Sequence, residues 1–346
     1  MMIKHKTLAI ALFLSQTIFC YSQETWVKLK EELIFQDPPF KSCHASTIVE
    51  VTPGHRMIAY FAGTAEGKKD VGIWLSVEKK GKWEKPVLMA DGIINDTLRY
   101  PSWNPVLFKA KEGKLFLFYK VGPSPRGWWG MVRTSMNNGK TWSTPQRLPD
   151  GILGPIKNKP VQLADGTILA PSSTETGNSW KVHIERSTDL GATWQLIPVD
   201  PTTEFHEIQP SILSYGNNRL QILCRSRHDS LVEAYSGDNG LTWGKISKTV
   251  LPNPNSGTDA VTLKQGLQLL VYNPTKRGKQ WSNGRGKLNV AVSKDGKIWS
   301  DVMVLENGEN EEFSYPAVIQ SSDGKVHITY TYDRKNVKHV VISQKK

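Results

Sequence analysis

Ser187-Thr188-Asp189-Leu190-Gly191-Ala192-Thr193-Trp194 is the stretch that decides how this chain folds. Ser and Asp side chains can bond nearby backbone amides, and Gly takes a positive φ, so the segment reads as a hairpin turn followed by a Trp that tucks into a core. The pattern returns in full from Ser236 through Asp238 and Gly240 to Thr242-Trp243. A variant has Ser135, Asn137, Gly139 and Thr141-Trp142, a shortened copy has Ser293, Asp295, Gly296 and Trp299, and a worn copy runs from Ser76 through Gly81 to Trp83. The five Trp are spaced by 59, 52, 49 and 56 residues. Repeats of this length imply stacked copies of one supersecondary unit.

A second repeat runs in step with the first. Six segments begin with a polar residue and continue as a short apolar strand: His44-Ala-Ser-Thr-Ile, Asn104-Pro-Val-Leu-Phe, Lys159-Pro-Val-Gln-Leu, Gln209-Pro-Ser-Ile-Leu, Asp259-Ala-Val-Thr-Leu and Tyr315-Pro-Ala-Val-Ile. Their starts are 60, 55, 50, 50 and 56 residues apart, and the first alignment can slip by one. A turn, a second apolar run, a third strand and the Trp-ended hairpin follow in most copies. Four strands in about 54 residues make one propeller blade. The expectation is therefore an all-β chain, a six-bladed β-propeller of four-stranded antiparallel blades. It fills residues 23–346 as one domain, with no linker and no sustained helical periodicity. The first strand of each blade lines the axis, so the six polar starts should converge on one mouth, with the Trp-ended turns elsewhere.

Residues 1–22 read as a secretory leader: Lys4 and Lys6, an apolar run from Leu8 to Phe19, then Cys20-Tyr21-Ser22. Export to a secreted or periplasmic location follows, with a lipid-modified Cys20 and an uncleaved anchor as alternatives. The formal charge is +12, two less without Lys4 and Lys6. Lys and Arg are scattered, with no basic helix or nucleic-acid motif, so an acidic glycan suits that charge better than nucleic acid. Past the leader only Cys43 and Cys224 remain, read as two buried thiols rather than a disulfide framework, and no Cys/His spacing suggests a metal. No cofactor and no membrane span in the mature chain are expected.

The repeated turns resemble the Asp boxes of the sialidase-like (BNR-repeat) propellers, and the resemblance covers the whole mature chain. It implies a catalytic set. Asp70, in Glu66-Gly-Lys-Lys-Asp70-Val, matches the acid/base. Tyr315, in Phe313-Ser-Tyr-Pro316, matches the nucleophile. Glu207, in His206-Glu-Ile-Gln-Pro210, matches the carboxylate that takes the Tyr proton. Arg225 and Arg285 resemble the second and third members of an arginine triad that clamps a carboxylate, with Arg227 an alternative to Arg225. The first triad position reads His44 instead of Arg, which leaves the clamp incomplete and weakens the case for sialic acid as substrate.

A Tyr is a poor nucleophile at its ordinary pKa of about 10. A carboxylate that accepts its proton during attack corrects this without placing negative charge against an anionic sugar, and Tyr nucleophiles are a recognised departure from the two-carboxylate scheme. The sequence thus points to an exo-acting glycoside hydrolase. A lyase that eliminates across a uronate, using Tyr315 and His44, is the second reading, and a non-catalytic glycan-binding propeller the third. Asn104, Lys159, Gln209 and Asp259 share the ring of strand starts and are candidate substrate contacts. Trp103, Trp128 and Trp129 are candidate stacking platforms for sugar rings.

Overall fold

The computed structural model describes residues 25–177, 179–202, 204–280 and 283–345, so the leader lies outside the described residues. Six antiparallel sheets follow one another in chain order around a ring. Their inner strands are Ser42–Thr52, Ser102–Lys109, Val161–Gln162, Glu207–Ser214, Asp259–Thr262 and Phe313–Gln320, in blades 1 to 6. Blade 1 splits its outer edge, with Lys82–Trp83 and Val87–Ala90 both pairing with Gly72–Lys79. Blade 6 borrows its outermost strand from the other end of the chain: Trp26–Leu33 pairs with Asn336–Gln344. Among the described residues no helix is long and apolar enough to cross a membrane.

Each blade lies between two others, so both faces of its middle strands are buried. Alternate residues then serve opposite neighbours. Ile212, Ile222 and Val232 of blade 4 pack with Val182 and Ile184 of blade 3. Leu213, Leu223 and Leu231 of the same strands pack with Leu270, Tyr272 and Ala291 of blade 5. The same division gives one apolar cluster at each of the other blade junctions. This is why the strands read as continuous apolar runs rather than as strict alternation. Cys43 and Cys224 are buried free thiols in two different junctions.

The Asp boxes close the third-to-fourth strand hairpins. In blade 4, Ser236 Oγ donates to Asp238 Oδ1 (2.7 Å), Gly240 N donates to Ser236 Oγ (2.9 Å) and Thr242 N donates to Asp238 Oδ1 (2.9 Å). Gly240 takes φ +80°, and a Cβ there would meet Leu169 of the neighbouring blade at 2.9 Å. The worn copy is different: Ser76 Oγ bonds Tyr60 Oη (3.2 Å), and Lys80 and Gly81, both at positive φ, make a tight turn instead. The antiparallel course puts the boxes at the end of the ring opposite the inner-strand starts.

Box geometry sets an acid response. Hydrogen bonds from Thr242 and then Ser236 hold Asp238 at about 2, and the equivalent bonds hold Asp189 there too. A carboxyl depressed in the folded state adds stability that is complete above the unfolded value of about 4 and is lost as pH falls through about 2. Asp238→Asn is therefore expected to flatten the fall in melting temperature between pH 4 and 2 in scanning calorimetry. An unchanged slope would show that the box carboxylates contribute nothing to the acid transition.

Candidate functional site

A β-bulge opens the inner strand in four blades. Two residues stand against one on the second strand between His44 and Thr47, Trp103 and Val106, Ile208 and Ser211, and Ser314 and Ala317. The first bulged residues are Ala45, Asn104, Gln209 and Tyr315, all with positive φ (53°, 36°, 58° and 52°). Bulges re-aim side chains, and residues held at positive φ without being Gly concentrate at functional sites. Here they turn these residues toward the axis at one mouth. In this register the blade 1 counterpart of Tyr315 is Ala45, and His44 comes one residue earlier.

Tyr315 is half-buried and surrounded by cations. Arg225 Nη1 donates to its Oη at 2.5 Å. Arg225, Arg285 and Lys157 lie 5.7, 5.8 and 5.8 Å from its ring centroid. The His44 ring packs at 4.2 Å, while its Nδ1 is hydrogen-bonded to Thr331 Oγ1 at 2.8 Å. Burial, reinforced by the charge of Arg334, holds the His44 pKa well below its ordinary value, so the ring is neutral. Lys157 is pulled down to about 7 by burial. Its Nζ donates to Asn158 Oδ1 (2.8 Å), Thr258 O (2.9 Å) and Pro316 O (2.5 Å), directly behind the tyrosine.

Both pocket arginines are fixed by neighbours. Arg225 Nε donates to Asn255 Oδ1 (3.0 Å), and Nη1 also reaches Gln209 Oε1 (3.3 Å). Arg285, 1% exposed, donates to Glu312 Oε1 (3.0 Å) and the Asn255 carbonyl (3.2 Å). Burial opposes ionisation of Glu312, yet the hydrogen bond from Arg334 and the surrounding positive charge hold it at about 2. Arg334 in turn pairs with Glu66 on the blade 1 loop. That loop packs against blade 2, since a Cβ on Gly67 would stand 3.4 Å from the Trp103 ring.

Other expected site residues stand elsewhere. Glu207 precedes its bulge by two positions and lies 1% exposed in the blade 3–blade 4 layer. Burial pushes its pKa up to about 7 against hydrogen bonding from its own backbone and that of Val182, and the Tyr315 hydroxyl is held by Arg225 instead. The residue in register with Tyr315 on that blade is Gln209. Lys159 and Asp259 spend their charges on each other across the axis, at 3.0 and 2.9 Å. Asp259 also accepts from the backbone amides of Val318 (2.8 Å) and Ala260 (2.9 Å), which makes the pair part of the channel floor. Asp70 accepts from Thr64 N (2.7 Å) and Thr64 Oγ1 (2.6 Å), and these bonds lower its pKa. Asn104 is the first bulged residue of blade 2 and is buried. Trp103 and Trp128 meet edge to face at 6.1 Å beside the mouth, whereas Trp129 packs on Tyr100 in an outer groove between blades 1 and 2.

Three residues of the mouth carry no strand-start signal. Trp180 lies 5.3 Å from the Arg225 guanidinium and 4.1 Å from that of Arg227. Glu175 is its cross-strand partner, and burial raises the Glu175 pKa against the opposing charges of Arg225, Arg227 and Arg126. Asn255, at φ 57°, ties Arg225 to Arg285. Hairpin ends and loops hold all three, where only the folded ring brings them together.

Fold and site together define a sialidase-like propeller with a tyrosine set among arginines. The chain belongs to the BNR repeat-like domain family, whose sequence profile matches residues 54–328. In fold it is similar to a Dyadobacter fermentans protein of unknown function, with a TM-score of 0.75 at 18% identity, covering 92% of this chain and 99% of that one. It is also similar to the NanB sialidase of Streptococcus pneumoniae (TM-score 0.70, 12% identity, 90% of this chain and 70% of that one). The intramolecular trans-sialidase of Ruminococcus gnavus gives a TM-score of 0.71 at 12% identity, covering 91% and 97%.

Proposed function

We propose that this chain is an exported, exo-acting glycoside hydrolase that removes a terminal sugar, an anionic one, from a glycan. The observation that carries this reading is the 2.5 Å hydrogen bond from Arg225 to the Tyr315 hydroxyl, made among further cations at the axis. Arg225 and Arg285 attract the acidic sugar, and a donor aimed at the phenol oxygen stabilises charge there as Tyr315 attacks. Proton handling falls to the rim carboxyls. Burial pushes Glu175 up, while bonds from Thr64 push Asp70 down. Carboxyls driven apart in this way suit a proton donor and an ionised partner. Tyr315 releases its proton to solvent as it bonds to the anomeric carbon and Glu175 protonates the leaving oxygen; a water then displaces Tyr315 and returns a proton to Glu175, while Asp70 stays ionised. Glu175→Gln is expected to lower kcat by about 10²–10⁴-fold, with recovery on substrates whose leaving group needs no proton. A uniform loss on both substrate kinds would remove Glu175 from the chemistry.

The lyase reading has its own support. Tyr315 has a neutral His44 at 4.2 Å and an arginine, not a carboxylate, on its oxygen. That arrangement also suits a tyrosine that removes a proton beside a uronate carboxylate. One assay separates the readings: incubation with acidic oligosaccharides, following both new reducing ends and ultraviolet absorbance. Hydrolysis gives reducing ends without absorbance, and elimination gives both. Failure of every acidic probe to react would favour a binding propeller.

A further inference from the structure

We infer that a second anion subsite lies beside the Tyr315 pocket, between the mouth loops of blades 4 and 5, and that the substrate carries acidic groups on two neighbouring sugar units. The inference rests on the reading of the Tyr315 pocket as the place of the first acidic sugar. A cleft of about 350 Å³ is lined by Asp229, Asn255, Arg277, Gly278, Lys279 and Gln280. That volume sits near the lower end of small-ligand sites, about 300–1,000 Å³, and suits one substituted sugar ring.

Asn255 joins the two places. Its side chain and carbonyl fix Arg225 and Arg285 on one side, and it lines the cleft on the other. A glycan with one unit over Tyr315 therefore reaches the cleft with the next. Arg277 is oriented there by Asp229, which accepts from its Nε at 2.8 Å and from its backbone N at 3.3 Å. The guanidinium of Arg227 stands over Trp180 at the same mouth and feels the charges of Arg126, Arg225 and Arg277, with Glu175 opposing them.

Like charges gathered from blades 2, 4 and 5 repel one another and weaken the compact state. The blade contacts do not need them, because the junctions are apolar. An anion offsets that repulsion, and planar guanidinium groups suit the oxygens of a sulfate or carboxylate. The ligand class is thus a sulfated or uronate-containing oligosaccharide, with its second acidic group on Arg277 and Lys279.

The test is titration calorimetry of the whole protein with two matched pairs of probes. Galacturonate against digalacturonate supplies a second carboxylate. A glucuronate–N-acetylgalactosamine disaccharide with and without a sulfate supplies a second sulfate. In at least one pair the doubly acidic member is expected to bind about tenfold tighter or better, a difference of about 1.4 kcal/mol. That ratio should collapse in Arg277→Ala/Lys279→Ala protein and shrink with added salt. Equal binding within both pairs, or a ratio untouched by the double substitution, overturns the subsite while the Tyr315 pocket stands. If the singly acidic probes fail to bind, or bind regardless of Arg225→Ala, the pocket reading falls and the subsite falls with it.

Discussion

Tyr315→Phe is expected to cut turnover of an acidic glycan by about 10³-fold or more while the ring stays assembled. The substitution removes only the phenol oxygen. The ring keeps its packing against His44, and Arg225 keeps Asn255 and Gln209 as acceptors. Substrate affinity rests on the arginines, so KM should move little and kcat should carry the loss. A structural role would give the opposite pattern, with a lowered melting temperature and kcat nearly intact. Steady-state kinetics beside a circular-dichroism melt separates the two, and a kcat within tenfold of the parent would remove Tyr315 from the reacting centre.

The second large effect concerns stability. Asp259→Ala should destabilise the propeller by about 3–5 kcal/mol, the range for breaking a buried ion pair from one side. Asp259 is 2% exposed and joins four blades: Lys159 of blade 3, Ser211 Oγ of blade 4, its own blade 5 and the Val318 amide of blade 6. Its loss leaves the Lys159 ammonium and a buried amide without that acceptor. Guanidinium chloride unfolding measures the change. Lys159→Met/Asp259→Asn should recover part of it, because no uncompensated charge remains. A loss below 1 kcal/mol in the single variant would mean that the axis pair is incidental.

The architecture was legible because its signals are local. Ser236, Asp238, Gly240 and Thr242 bond within seven residues of one another, so their chemistry lies open in the sequence. The apolar runs follow equally from burial on both faces. From residue pattern alone, the site was legible chiefly where a residue sits at or beside the bulge. Tyr315-Pro316 and Gln209-Pro210 mark the bulge by their proline, whereas Arg225 on the second strand of blade 4 and Arg285 just before the third strand of blade 5 came from the family resemblance. Glu207 misled because a shift of two residues along a strand start moves a side chain from the mouth into a blade junction, and no propensity reports that shift. Lys159 and Asp259 are 100 residues apart, so nothing in either segment announces that they neutralise each other. Glu175, Trp180 and Asn255 had no repeat to betray them. Asp70 falls in the expected loop, but what its carboxylate touches depends on how Thr64 folds back.

The strand Trp26–Leu33 has a consequence for how the molecule is made. It precedes all six inner strands in the chain, yet its partner Asn336–Gln344 follows all of them. Five blades can assemble in chain order, but the ring cannot lock until that later strand is in place, and the early strand must wait with an unpaired edge. The Phe35 amide and carbonyl, bonded to the Asn336 side chain across 301 residues, belong to the same late event. A chain truncated before residue 336 should therefore leave Trp26–Leu33 open to protease while the inner blades hold, and the strand Asn336–Gln344 acts as the latch for the whole circle.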